Sequence, residues 1–62
     1  MSYSLVSDVV AALADCEQSA VEIAVSSGLE LVQVAEALEY LAAEGRLSMQ
    51  TDQGVDLYRL VA

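Results

Sequence analysis

The sequence contains no lysine, histidine, proline, phenylalanine or tryptophan, and Cys16 is its only cysteine. Without histidine or lysine, general acid–base catalysis is left to carboxylates, tyrosines and Cys16. A lone thiol can form neither an internal disulfide nor a zinc site built from several cysteines. We therefore expect a protein that is not an enzyme, has no metal site and binds no cofactor.

Long apolar runs are also missing. No stretch of the sequence approaches the roughly 18 apolar residues of a membrane-spanning helix. The N-terminus lacks the basic and then apolar pattern of a secretion signal. We expect a cytoplasmic protein without a membrane partner.

Positive charge is scarce. The chain has ten acidic residues and only two basic ones, Arg46 and Arg59, so its net charge is −8. Such a chain is repelled by phosphate backbones and anionic membranes, so its natural partners are basic protein surfaces or cations. Adaptation to a high-salt cytoplasm produces the same composition, and the sequence leaves both explanations open.

The length of 62 residues predicts one small domain over residues 1–62. A domain of this size buries only about 60% of the surface that its unfolded chain exposes. Because 56% of the residues are apolar, some apolar surface is left over, which favours self-association. Val6 and Val10 widen the apolar face of the first helix, and we expect any homodimer to form through them.

Apolar residues at helical spacing predict a first helix over about residues 5–15, with Ser4 as its N-cap. Residues 1–4 are predicted to be a frayed start. The stripe that faces the core consists of Leu5, Val9, Leu13 and Cys16. Because Cys16 belongs to this stripe and has no histidine to activate it, we interpret it as a buried structural thiol.

A second, short helix is predicted over about residues 20–26. Ser19 and Glu22 have the spacing of a capping box, in which the two side chains bind exposed backbone amides reciprocally. Gly28 supplies the left-handed backbone for a tight turn after the helix. The predicted core residues of this helix are Ile23 and Ala24.

A third helix is predicted over about residues 31–44, ending at Gly45. The residues that helical-wheel geometry turns toward the core are Val34, Leu38 and Leu41, with Leu31 and Ala42 beside them. The opposite side presents Val32, Glu36, Glu39 and Ala43, with Gln33 and Tyr40 on one flank. From Glu30 to Glu44 this segment carries four glutamates and no cation.

The remaining residues, about 46–61, read as a two-stranded β-hairpin with its turn at residues 51–54. The apolar residues that alternate with polar ones on the two arms are Leu47, Met49, Tyr58 and Leu60. An isolated hairpin of this size is barely stable in water, so it must pack against the helices. Tyr58 is therefore predicted to lie in the core, with Arg59 pointing outward.

Three helices followed by a hairpin resemble the winged helix-turn-helix superfamily over roughly residues 5–60. The matching residues are Glu22-Ile23-Ala24, Gly28-Leu29, Val34, Leu38, Tyr40-Leu41, Glu44-Gly45, Gly54 and Tyr58-Arg59-Leu60. The resemblance implies an α+β, mainly helical fold with a two-stranded wing. The chain is also similar to the FeoC-like regulators of ferrous-iron uptake, but it lacks the cysteine cluster of their wing, so their iron role does not transfer.

In DNA-binding members of this superfamily, the outer face of the third helix and the wing tip contact DNA. Carried over residue by residue, these positions are Glu30, Val32, Gln33, Glu36 and residues 50–53 of this chain. The residues able to contact DNA are Gln33, Gln50, Thr51 and Gln53, with the cations Arg46 and Arg59. One hypothesis is therefore a DNA-binding transcriptional regulator that acts as a homodimer or in a high-salt cytoplasm.

The glutamates of the third helix favour a different partner. Lysine and arginine contacts to phosphates supply most non-specific DNA affinity, and this helix offers none. An apolar centre with an acidic rim suits a basic protein surface. The residues expected to bind that partner are Val32, Gln33, Glu36, Glu39 and Tyr40. The hypothesis that the charge favours is a small regulatory or adaptor protein that acts through protein–protein contacts, on the transcription machinery or as a DNA mimic.

Overall fold

The computed structural model of the chain describes residues 3–14 and 16–61, and the side chains of all of these except residues 3 and 4. The elements in chain order are α1 (Tyr3–Leu13), β1 (Gln18–Ser19), α2 (Ala20–Ser27), α3 (Leu31–Ala43), β2 (Leu47–Asp52) and β3 (Val55–Leu60). The three strands form an antiparallel sheet in the order β1-β3-β2. The predicted α+β, mainly helical fold class is confirmed, with one strand more than the predicted two-stranded wing.

Helix α1 begins at Tyr3, so Ser4 lies inside the helix and the prediction of Ser4 as N-cap is wrong. The helix ends at Leu13, and the predicted end at residue 15 falls outside the described residues. Val6 is only 5% exposed, because α1 packs against both other helices and the sheet. The prediction of a dimer surface through Val6 is therefore wrong, and Val10 is itself half-buried against the core.

Cys16 is exposed, which contradicts its predicted place in the core stripe. Helix α1 ends at Leu13, so Cys16 lies outside the helix whose spacing was predicted to turn it toward the core. Gln18 is the polar residue buried here, and its Nε2 donates to the Ala12 carbonyl oxygen at 2.5 Å. Its Oε1 accepts from the Ser26 Oγ at 3.3 Å, so one side chain links α1 to α2.

The capping box at the start of α2 is confirmed. The Ser19 Oγ accepts from the Glu22 backbone N–H at 3.2 Å, and the Glu22 carboxylate accepts from the Ser19 N–H at 3.0 Å. At the other end, Gly28 has φ +74°, and its N–H donates to the Ala24 carbonyl at 3.0 Å. Both ends of α2 are therefore capped by the residues that the sequence predicted.

Replacing Ser19 with alanine should lower the free energy of unfolding by about 1 kcal/mol, because the Glu22 N–H loses its acceptor. Urea unfolding followed by circular dichroism measures this change. Ser7→Ala is the control, since Ser7 is an exposed residue within α1 where alanine is a better helix former. Equal stabilities for Ser19→Ala and the unmodified protein would show that the cap does not stabilise α2.

Helix α3 supplies half of the buried core. Its buried residues are Val34, Ala37, Leu38 and Leu41. Leu31 is 52% exposed and Ala42 is also exposed, so their predicted places beside the core are wrong. Leu31 lies at the first position of the helix, one turn before its first buried residue, where the neighbouring elements leave it uncovered. The sequence also missed Ala37, whose small side chain fits the close approach of α3 to the rest of the core.

The sheet covers the core with one face. Leu47, Tyr58 and Leu60 pack against the buried cluster, which confirms the core position predicted for Tyr58. Met49 shares this face by alternation but is 56% exposed. The turn between β2 and β3 places Gln53 and Gly54 at φ +53° and +79°, as a two-residue hairpin loop with left-handed backbone requires.

Candidate docking surface on the third helix and wing

Four of the five residues predicted to bind a partner are exposed on one side of α3. Val32 is 61% exposed and Tyr40 is 37% exposed, and Glu36 and Glu39 are exposed between them. Positions 32, 36, 39 and 40 follow helical spacing, so these side chains share one surface. We call Val32, Glu36, Glu39 and Tyr40 the α3 face.

Gln33, the fifth predicted residue, is half-buried and has a structural role. Its Oε1 accepts from the Glu30 backbone N–H at 2.9 Å, at the N-terminus of α3. Glu30 is the N-cap of the helix, and Gln33 occupies the position three residues later. The Gln33 side chain therefore accepts from a backbone amide just before α3. This hydrogen bond holds the Gln33 carboxamide close to the helix.

The α3 face is acidic, and the segment that carries it contains no cation. Glu36 and Glu39 lie on it, Glu30 and Glu44 lie at the two ends of the helix, and all four are exposed. Residues 30–45 contain no arginine or lysine. This surface therefore repels a phosphate backbone and attracts positive charge.

Arg59 lies in β3 and Arg46 directly precedes β2, and strand alternation turns both side chains away from the helices. Arg59 pairs with Ser48 across β2 and β3, and the Arg46 carbonyl accepts from the Val61 N–H at 2.9 Å. Since residues two apart in a strand point to the same side, Arg46 and Arg59 are diagonal neighbours on one face. That face is opposite to the one that carries Leu47 and Leu60. The only cations of the chain therefore belong to the base of the wing.

The polar residues predicted to contact DNA are spread over separate parts of the molecule. Gln50, Thr51 and Gln53 are exposed near the wing tip, where the Thr51 hydroxyl donates to the Asp56 carboxylate at 2.9 Å. The six-residue strand β2 separates this tip from Arg46 by roughly 17–20 Å at about 3.3 Å per residue. The wing tip is therefore polar and acidic, and neither arginine lies beside it.

Within residues 3–14 and 16–61, no group of three or more cysteine, aspartate or glutamate side chains is placed to hold a metal ion. Among the same residues, no helix has both the length and the apolar character needed to cross a bilayer.

No protein-family model matches the sequence, and no curated protein matches it. Among solved structures, the chain is similar to a homodimeric winged helix-turn-helix DNA-binding domain from Mycobacterium bovis, described as a possible ArsR-family transcriptional regulator. The two share 20% sequence identity with a TM-score of 0.85, over 98% of this chain and 56% of that one. This chain has the winged helix-turn-helix fold, and it spans just over half the length of the Mycobacterium domain.

Proposed function

We propose that this chain is a non-enzymatic transcriptional regulator that binds duplex DNA as a homodimer, through α3 and the wing tip, in the cytoplasm. The observation that carries the proposal is the likeness to a homodimeric DNA-binding domain over 98% of the chain, at a TM-score of 0.85. The sequence alone favoured a protein partner. The likeness shifts the balance toward DNA, because it extends over all three helices and the wing.

The charges of the chain set a condition on DNA binding. Glu36 and Glu39 lie on the surface that would meet the duplex, and Arg46 and Arg59 are at the base of the wing. Phosphate contacts by cations supply most of the affinity of ordinary DNA-binding proteins, and each chain of the homodimer can offer at most two. Binding therefore requires that repulsion be screened, as it is in a high-salt cytoplasm.

We expect the affinity for duplex DNA to rise as salt is added between about 0.1 and 1 M, because the Debye length falls from about 10 to about 3 Å. A protein that depends on lysine and arginine contacts shows the reverse, with binding lost steadily as salt increases. Fluorescence anisotropy of a labelled duplex, titrated at several salt concentrations, measures the effect. If the protein bound no duplex at any salt concentration in this range, the proposed function would be overturned.

A second candidate function is docking on a basic protein surface, and the acidic α3 face specifically favours it. Val32 places exposed apolar surface among the carboxylates of Glu36 and Glu39. An apolar centre with a charged rim is the common anatomy of a protein interface, where the charges mainly speed and orient the encounter. Mimicry of DNA, with carboxylates in the place of phosphates, is a special case of this candidate.

One double variant distinguishes the two candidate functions, because it should strengthen binding to DNA and weaken binding to a basic protein. Glu36→Gln with Glu39→Gln removes two negative charges from the α3 face and keeps its shape, changing the net charge from −8 to −6. Affinity for duplex should rise roughly fivefold if α3 docks on DNA, and capture of a basic partner should weaken by a similar factor if it docks on protein.

The control for this test is Asp8→Asn with Glu17→Gln, which makes the same charge change on α1 and the turn after it. Duplex binding is measured by anisotropy. Capture of a protein partner is measured by pull-down from a nuclease-treated extract of the source cell. Equal effects of the test and control variants on both readouts would show that α3 is not the docking helix.

A further inference from the structure

An open apolar groove of about 430 Å³ lies between α3 and the wing. On α3 the groove is lined by Leu38 and Glu39 and by the small side chains of Ala35 and Ala42, which are two turns apart on the same side of the helix. Met49 and Tyr58 form the side that belongs to the sheet. The groove exists because alanines stand where larger residues of α3 would otherwise meet the sheet.

The lining of this groove is apolar apart from Glu39 and the Tyr58 hydroxyl. Glu39 is exposed, so its carboxylate lies at the rim. Met49 is 56% exposed, and its flexible thioether side chain adapts to ligands of different shape. The volume falls within the range of small-molecule pockets, about 300–1,000 Å³.

We propose that this groove binds a small organic cation with an apolar body, such as an alkylated ammonium compound. The apolar body packs on Ala35, Ala42 and Met49, and the positive charge lies between the Glu39 carboxylate and the Tyr58 ring. Carboxylates attract such cations, and aromatic faces bind them through the ring quadrupole. The net charge of −8 also concentrates cations around the molecule.

Charge argues against a second copy of the chain as the occupant. Each copy carries ten acidic residues and two arginines, so another copy would bring further carboxylates to Glu39. A neutral apolar ligand would form no ionic contact with the Glu39 carboxylate. It would also not be attracted by the negative electrostatic potential around the molecule. The organic cation is the occupant that satisfies both the apolar walls and the acidic rim.

The test compares three probes with the same chain length and different charge: octyltrimethylammonium, 1-octanol and octyl sulfate. Each is titrated below its micelle concentration into the isotope-labelled protein, and the shifts of backbone amide signals are followed by NMR. The cation should bind roughly fivefold more tightly than octanol and shift the amides of Ala35, Glu39 and Met49, with octyl sulfate weakest. Equal affinity for all three probes, or no binding of the cation, would overturn the proposal.

Four variants locate the site. Glu39→Gln should weaken the cation about threefold and leave octanol unchanged, whereas Glu17→Gln makes the same charge change away from the groove and should have no effect. Ala35→Leu fills the groove and should abolish binding of both probes, and leucine is nearly as good a helix former as alanine. Ala42→Leu provides the same blockage if Ala35→Leu fails to fold. Unchanged affinity in the folded leucine variants, or equal losses in the two glutamine variants, would place the ligand elsewhere and contradict the proposal.

Discussion

Replacing Ile23 with alanine should remove a large share of the domain's free energy of unfolding. Ile23 is fully buried, and truncation of such a side chain costs about 2–5 kcal/mol because a cavity is left behind. A chain of 62 residues has a total stability of only about 3–9 kcal/mol at ordinary values per residue. Urea unfolding followed by circular dichroism should show a midpoint at a much lower urea concentration than that of the unmodified protein.

Val25→Ala is the matched control for this prediction. Val25 lies in the same helix as Ile23, two residues further on, but is 79% exposed. Its truncation should change the free energy of unfolding by no more than about 0.5 kcal/mol. If both variants were equally stable, burial of Ile23 would not stabilise the domain.

The largest functional effect is expected from reversing charge on the α3 face. In Glu36→Lys with Glu39→Lys, each substitution replaces −1 with +1, so the net charge changes from −8 to −4. If α3 docks on DNA, duplex affinity at about 0.1 M salt should rise by roughly a factor of ten or more, since two phosphate contacts replace two repulsions in each chain of the homodimer. The salt dependence should also change sign, toward a log–log slope of about −3.6 for the four new contacts of the dimer.

The control is Asp8→Lys with Glu17→Lys, which gives the same net charge of −4 with both lysines outside α3 and the wing. Anisotropy titrations of both variants against one labelled duplex make the comparison. An equal gain for the two variants would mean that net charge alone governs binding. No gain for either would count against DNA as the partner and in favour of the protein-docking candidate.

The elements of the fold that were predictable are those determined by residues close together in the sequence. The capping box of Ser19 and Glu22, the turn at Gly28 and the spacing of Val34, Leu38 and Leu41 each depend on residues within two helical turns. Strand β1 was missed because two residues cannot show an alternation pattern. The pairing of Gln18 with Tyr58, forty residues away, is what creates this strand.

The candidate surface was predictable in part for a similar reason. The exposure of Val32, Glu36 and Glu39 follows from the helical wheel once the buried stripe of α3 is known. The capping role of Gln33 had a usable signal, since it lies three residues after the N-cap Glu30. The groove had no such signal, because alanines do not indicate by themselves that a neighbouring sheet will leave space above them.

The position of the two arginines has a kinetic consequence. Arg46 and Arg59 share the outer side of the sheet, so the charge distribution has a direction, with its least negative end at the base of the wing. A polyanion that approaches this molecule should meet that end first. If α3 docks on DNA as proposed, the docking helix would then arrive in the wrong orientation, and rotation after the encounter would limit the association rate.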